Sequence, residues 1–350
     1  MSNDSDSAAV PLQRDGFVVR KERLYGWLIA ASAVLTILVT VGIVLTLSAN
    51  ALSFWREISP TAFFTGTNWN PKIEGAYGVL PLVSGTLLVT VLSALIALPV
   101  GLAAAVYLSE YASSRVRSVL KPALEVLAGV PTVIYGYMAL VYVTPLIDGY
   151  LPVEATIHPS RTEVLVVPDW LPAIRRFVLV IPEYTLVVPS LRTFNALSAS
   201  IVVGIMIIPM VSSISEDALS AVPDSLREAG YGLGSSKFDV STKIVVPSAT
   251  SGIVASYVLA LSRAIGETMA VTMAMGMSPQ MPYHPNVLKN LAESSQTMTA
   301  AMVQIAGADS LGDGPTFEAM FALGMTLFVI TLGMNVLAEL VRRRFREAYD

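Results

Sequence analysis

The stretch GAYGVLPLVSGTLLVTVLSALIALPVGLAAAVYLS, residues 75–109, carries no charged side chain from end to end. A helix crossing the hydrocarbon core of a bilayer needs about 20 predominantly apolar residues, so this stretch is long enough to span. Uncharged windows of the same kind occur at Tyr25–Trp55, Val126–Ile147, Thr193–Ser215 and Ala319–Ala338, and one more, Ile244–Met277, is interrupted only by Arg263 and Glu267. The windows predict an all-α polytopic membrane protein with about six transmembrane helices, near 27–49, 79–108, 124–147, 193–215, 248–276 and 319–340. An even number of spans places both termini on one side.

Composition agrees with a membrane protein. Of 350 residues, 54% are hydrophobic and 14% charged, with a mean hydropathy of +0.64, whereas a soluble domain carries roughly a quarter charged residues. The formal charge of −4, from 22 Lys plus Arg against 26 Asp plus Glu, suggests no nucleic-acid surface. There is no cysteine, and two histidines are too few to predict a metal site.

The basic residues choose the side, because Lys and Arg near helix ends are retained in the cytoplasm. They cluster before the first span (Arg20, Lys21, Arg23), between the second and third (Arg115, Arg117, Lys121), between the fourth and fifth (Arg227, Lys237, Lys243) and after the last (Arg342, Arg343, Arg344, Arg346). The other set of loops holds half as many over longer segments. Both termini are therefore expected in the cytoplasm.

This divides the chain into a disordered cytoplasmic tail at 1–23, a first helix and outer loop at 24–75, a transmembrane domain at 76–341 and a basic tail at 342–350. Within the domain lie an outer insertion, 149–191, and a cytoplasmic loop, 216–247. The stretch Trp27–Ala49 is long enough to be a retained anchor rather than the short core of a signal peptide. The insertion is rich in Pro, with β-leaning runs at Glu163–Val167 and Tyr184–Val188 and an apolar run, Phe177–Ile181, too short to span. Pro131 and Gly136 are expected to kink the third helix.

The cytoplasmic loop contains REAGYGLGSSKFDVSTKIVVP, residues 227–247. Pro223, Asp224 and Ser225 can open a short helix, with Glu228 in its first turn, where the helix dipole favours an anion. Gly230, Gly232 and Gly234 permit close approach or a reversal, and a second helix would begin near Lys237. This pattern resembles the EAA loop of ABC importer permeases: Glu228, Ala229, Gly234, Ile244 and Pro247 match at the family's spacing, and Gly230 and Val246 depart from it. The resemblance implies a coupling helix docked on a cytoplasmic ATPase, carried by Arg227, Glu228, Ala229, Gly230, Gly234, Ile244 and Pro247. The alternative is a helical hairpin whose glycines serve packing alone.

The second constellation is LSRAIGETMAV, residues 261–271. On a continuous helix Arg263 and Glu267, four apart, share a face and can pair. From a start near Ser248, a rise of about 1.5 Å per residue puts Arg263 roughly 22 Å along, inside a core about 30 Å thick. Ionisable groups at such depth face a bundle interior or an ion route. A guanidinium binds tetrahedral oxyanions through two parallel hydrogen bonds, so Arg263, Glu267 and Thr268 are candidates for a substrate path. A salt bridge that only ties helices together is the alternative.

This string, with GVLPLVSGTLLVT at 78–90, LPVGLAAAVYLSEYA at 98–112, LKPALEVLAGVPTVIYGYMAL at 120–140 and IIPMVSSISEDALSAVPDSLREAGYGLG at 207–234, resembles the PstC type of phosphate permease. The resemblance implies a type I ABC importer permease core that moves inorganic phosphate inward. It also implies a PstA-like partner permease, a dimeric PstB-like ATPase that hydrolyses the ATP, and a PstS-like phosphate-binding protein outside. No cofactor is expected on this chain, which has no Gly-x-x-x-x-Gly-Lys-Ser/Thr loop. The alternatives are a permease for sulfate, molybdate or phosphonate, or an ion-coupled anion transporter or channel. An intramembrane enzyme lacks a second carboxylate, His or Cys beside Glu267. Glu110 and Tyr111, after the second helix, could touch an ATPase, but a carboxylate at the membrane interface is the commoner reading. Met269, Met273, Met275 and Met277 could line a pore, but methionine more often fills helix interfaces.

Overall fold

A computed structural model describes residues 16–150, 191–283, 287–307 and 314–344. Helix α1 (Gly16–Glu57), a short α2 (Pro60–Thr65) and an antiparallel pair of two-residue strands, β1 (Trp69–Asn70) and β2 (Ala76–Tyr77), lead into α3 (Leu80–Val106), which runs on as a π turn at Tyr107–Tyr111. Next come α4 (Ser114–Ala128), α5 (Thr132–Met138) and α6 (Thr144–Tyr150). After the insertion follow α7 (Ala196–Ser220), α8 (Asp224–Gly232), α9 (Lys237–Val240), α10 (Val246–Ser248), α11 (Thr250–Ile265) and α12 (Met269–Met275). The chain closes with α13 (Val287–Ala292), α14 (Met298–Ala306) and α15 (Pro315–Arg344).

Among the described residues, four continuous helical stretches are long and apolar enough to cross a membrane: 21–57, 80–111, 196–220 and 315–340. Two bent pairs, 114–128 with 132–148 and 237–248 with 250–265, bring the number to six if each is one crossing. The all-α polytopic architecture is thus present, and two spans differ from the uniform helices expected. The third span starts earlier and turns by 88°, because Pro131 clashes with helical backbone at the residue before it, leaving Gly129 as a C-cap. The fifth turns by 71° at Ala249 and stops at Ile265 instead of running to 276.

Other expectations are also corrected. Residues 16–23, placed in a disordered tail, are the first turns of α1, and α15 continues through Arg344 into the segment read as a C-terminal tail. The Glu163–Val167 and Tyr184–Val188 runs lie outside the described residues, as do His158 and His284.

Among the described residues the core forms in three clusters. One, from α3, α5, α7, α11 and α12, includes Val89, Tyr135, Met206, Ile207 and Met275. Helices α3 and α7 approach closely there because Gly101 and Gly204 lack a side chain: a Cβ on Gly101 would lie 2.7 Å from Val211. Ser93 Oγ donates to the Ser200 carbonyl across the same seam at 2.9 Å, so a hydroxyl at membrane depth is satisfied. A second cluster joins the end of α1 to α2, the strand pair, α14 and α15 around Phe54, Phe63 and Leu323. The third lies at the far ends of α3 and α7, where Leu219, Val240, Val245 and Ile253 meet. Along α1, Trp27, Leu28, Ile29, Leu35 and Leu38 are exposed, a surface that only lipid or another apolar partner covers at low cost.

Candidate functional site

Two regions hold the residues singled out by sequence. The first is the interrupted fifth span. Helix α11 ends at Ile265 with Gly266 as its C-cap, and α12 begins at Met269. The Arg263–Glu267 pairing expected from their spacing does not form, since the helix that would have stacked them stops between them. Instead, Glu267 Oε1 accepts a hydrogen bond from the Ala270 amide at 3.1 Å, capping α12, and the Glu267 carbonyl accepts from Thr299 Oγ1 at 2.8 Å. Glu267 is buried. Thr268 Oγ1 turns back to the Gly266 carbonyl at 3.2 Å.

Arg263 is exposed and has no carboxylate within ion-pairing distance among the described residues. Beside it, Ser262 Oγ donates to Asn335 Oδ1 at 3.0 Å, tying α11 to α15. Sequence reading missed the segment that supports this break. Residues 295–301, the end of the link after α13 and the first turn of α14, are buried at every position, and Met298 N donates to Thr86 Oγ1 of α3 at 3.1 Å. Their signal is faint, because Ser, Gln and Thr in a row read as a loop, and only tertiary packing buries them.

The second region is the hairpin 224–247. Helix α8 ends in a Schellman motif: Gly234, at φ 81°, donates its N–H to the Tyr231 carbonyl at 2.9 Å, and Ser235 donates to the Gly230 carbonyl at 3.2 Å. The left-handed conformation explains Gly at 234. Ser236 then caps α9 through the Asp239 amide, at 3.1 Å. The Lys243 ammonium and then the Ser236 hydroxyl hydrogen-bond to Asp239, holding its carboxyl below the usual range. Gly230 is buried, and a Cβ there would lie 2.7 Å from Ile244 Cδ1 and 2.9 Å from Val240 Cγ2. The Gly at this position therefore lets the two arms of the hairpin close. Glu228 and Ala229 face outward, together with Tyr231, Leu233 and Phe238. Pro247 lies apart from them, next to the 71° bend.

Arg227 points the other way, into the protein. Its Nε and Nη2 donate to Glu110 Oε1 of the π turn at 3.2 and 3.0 Å, and Nη2 also donates to the Leu219 carbonyl at 2.8 Å. Nη1 donates to the Val222 carbonyl at 2.5 Å and to Asp224 Oδ1 at 3.1 Å. The Glu110 side chain is 4% exposed, so its reading as an interfacial carboxylate is corrected: it is the buried partner of Arg227. A second cluster escaped the sequence reading. Glu216 of α7, fully buried, takes an ion pair from Arg117 and another from Lys121 of α4, the latter at 2.6 Å. Arg117 and Lys121 are four apart on one helix, a signal that two cations share a face and seek one anion.

Residues 97–347 match the family described as binding-protein-dependent transport system inner membrane component. The chain is 33% identical over 290 residues to a phosphate transport system permease protein PstC of Xylella fastidiosa, covering 82% of this chain and 80% of that one. It is 30% identical to a protein of the same name from Haemophilus influenzae, over 93% and 94% of the two chains. A probable ABC transporter permease protein of Bacillus subtilis, YqgH, is 30% identical over 87% and 85%. Among solved structures, a bacterial ABC transporter involved in the import of the acidic polysaccharide alginate superposes with a TM-score of 0.56 over 94% of this chain and 99% of that one, at 15% identity, a likeness of fold. A match over most of the chain, together with helices long and apolar enough to cross a membrane, identifies it as a multi-pass membrane permease subunit of the binding-protein-dependent ABC importer family.

Proposed function

We propose that this permease moves inorganic phosphate into the cytoplasm and that Arg263 is the cation the anion meets on its way. The observation that carries the reading is the Arg263 guanidinium, exposed beside the break in the fifth span with no carboxylate partner among the described residues. A charge kept unpaired on a membrane helix is costly, and an oxyanion taking two parallel hydrogen bonds from a guanidinium repays that cost. The names of the PstC relatives favour phosphate among oxyanions. Glu267, as the cap of α12, fixes the shape of the break, and Thr268 lies within it.

Coupling runs through the hairpin. Glu228, Ala229, Tyr231 and Leu233 form its outward surface, suited to a groove on a PstB-like ATPase dimer, which binds and hydrolyses the ATP. A PstA-like permease completes the pore, a PstS-like protein delivers phosphate from outside, and both termini lie in the cytoplasm. The test is uptake of radiolabelled phosphate by proteoliposomes holding the four-component complex and ATP, competed by arsenate and by sulfate. Competition by arsenate alone supports phosphate. Uptake of sulfate or molybdate in its place, or uptake driven by an ion gradient without ATP, overturns the reading.

A further inference from the structure

We infer that Glu110 is a positioning residue for coupling: through Arg227 it fastens α8 to the end of α3, so that α3, α7 and α8 move as one body. The inference rests on the proposed role of the hairpin as the ATPase-facing element.

Helix α8 has few buried side chains of its own to anchor it. Of its nine residues only Gly230 is buried, and a glycine contributes no side chain to a core. A helix this short is not stable by itself in water, and the apolar contact between Gly230 and Ile244 joins it to the hairpin's other arm, not to the membrane helices. What holds α8 to the spans is the partly buried Leu226, packed against the cluster that contains Leu219 and Ile253, and one guanidinium that reaches the π turn after α3, the last turn of α7 and the first turn of α8. Arg227 is 15% exposed and Glu110 4%, so water does not substitute freely for either partner. Removing one member of a buried pair leaves the other uncompensated, and that loss exceeds anything seen at exposed pairs.

The π turn supplies the geometry. Ala112 donates its N–H to the Tyr107 carbonyl at 2.8 Å, five residues back, so one extra residue is wound into the end of α3. Such turns shift the side chains that follow by a fraction of a helical turn, and they recur at functional sites. Here the turn carries Glu110 to the inner side, where Ser109 Oγ also donates to Oε1 at 3.1 Å. Three donors thus meet one carboxylate oxygen. With α8 held in this way, a displacement at the ATPase surface is carried to α3 and α7 instead of being absorbed by bending of the hairpin.

The test uses the complete transporter carrying Glu110→Gln, which preserves shape and removes the charge. Two readouts are taken on one preparation: hydrogen exchange at the α8 amides, and ATP hydrolysed per phosphate imported. We expect exchange at residues 228–232 to rise about tenfold, a change of about 1.4 kcal/mol in local opening. The complex should remain assembled and hydrolyse ATP while importing at least about tenfold less per ATP, and Glu110→Asp should recover part of both effects. In a Glu110→Cys, Arg227→Cys pair, clean in a chain without native cysteine, a short bis-thiosulfonate cross-link should restore import and reduction should remove it. Exchange and ATP ratio both within twofold of wild type would overturn the inference, as would loss of import with α8 exchange unchanged. A wild-type complex that imports another anion would refute phosphate and leave this test intact, because exchange and the ratio for that anion are read in the same way.

Discussion

Replacing Arg263 by Gln separates a transport role from a scaffolding one more sharply than the sequence alone suggested. In a salt-bridge scaffold, Arg263→Gln would strand Glu267, and lost transport would only report misassembly. In the structure Glu267 is engaged elsewhere, accepting from the Ala270 amide and, through its carbonyl, from Thr299. Arg263 is exposed and unpaired among the described residues. The change should therefore alter stability by no more than about 0.5 kcal/mol, the range of substitutions away from such networks. Transport should respond differently, because a hydrogen bond to a charged group contributes about 1.5–3 kcal/mol. Losing one such bond to the passing anion slows uptake roughly 10- to 100-fold. The assay is initial phosphate uptake by proteoliposomes at matched permease and ATPase content, with thermal unfolding in detergent as control. Adding Glu267→Gln should leave assembly unchanged, because the amide oxygen can still accept from Ala270. Uptake by Arg263→Gln within twofold of wild type would refute a path role. Misassembly of the single variant, cured in the double variant, would show that the two charges do pair in the membrane.

Other consequences are testable in the same preparations. Gly230→Ala inserts a methyl 2.7 Å from Ile244 Cδ1 and should destabilise the hairpin by about 1–3 kcal/mol, with Ile244→Val recovering part of the lost melting temperature. Gly234→Val puts a β-branched residue at φ 81° and should cost at least about 1–2 kcal/mol, read as weaker co-purification of the ATPase with the permease still inserted. Glu216→Gln removes the shared anion of Arg117 and Lys121. Because both cations are partly exposed and can rehydrate, the expected loss is about 1–2 kcal/mol, well below that for a fully buried pair, and it should appear as easier proteolysis of α4. Single cysteines at Ser235 and at Ser278, in a chain with none of its own, should be labelled from opposite sides, Ser235 only after permeabilisation. Labelling of Ser235 from outside would reverse the topology.

The sequence by itself determined the membrane class, the long spans and the hairpin, because each rests on a local property. An uncharged run of sufficient length has to leave water whatever surrounds it. Gly234 occupies the left-handed cap, and the spacing from Glu228 to Ile244 closes the two arms as the pattern implies. It could not determine which charges meet. Arg263 and Glu267 looked paired because a continuous helix would stack them, yet the helix breaks at Gly266 and the neighbouring segment 295–301 supplies, through Thr299 Oγ1, a donor for the Glu267 carbonyl. Glu110 and Arg227 are far apart in the chain and become partners only where α3, α7 and α8 converge. Periodicity records what one element would do alone, whereas the pairing of buried charges depends on which helix ends the fold brings within reach, and that is a property of the tertiary structure.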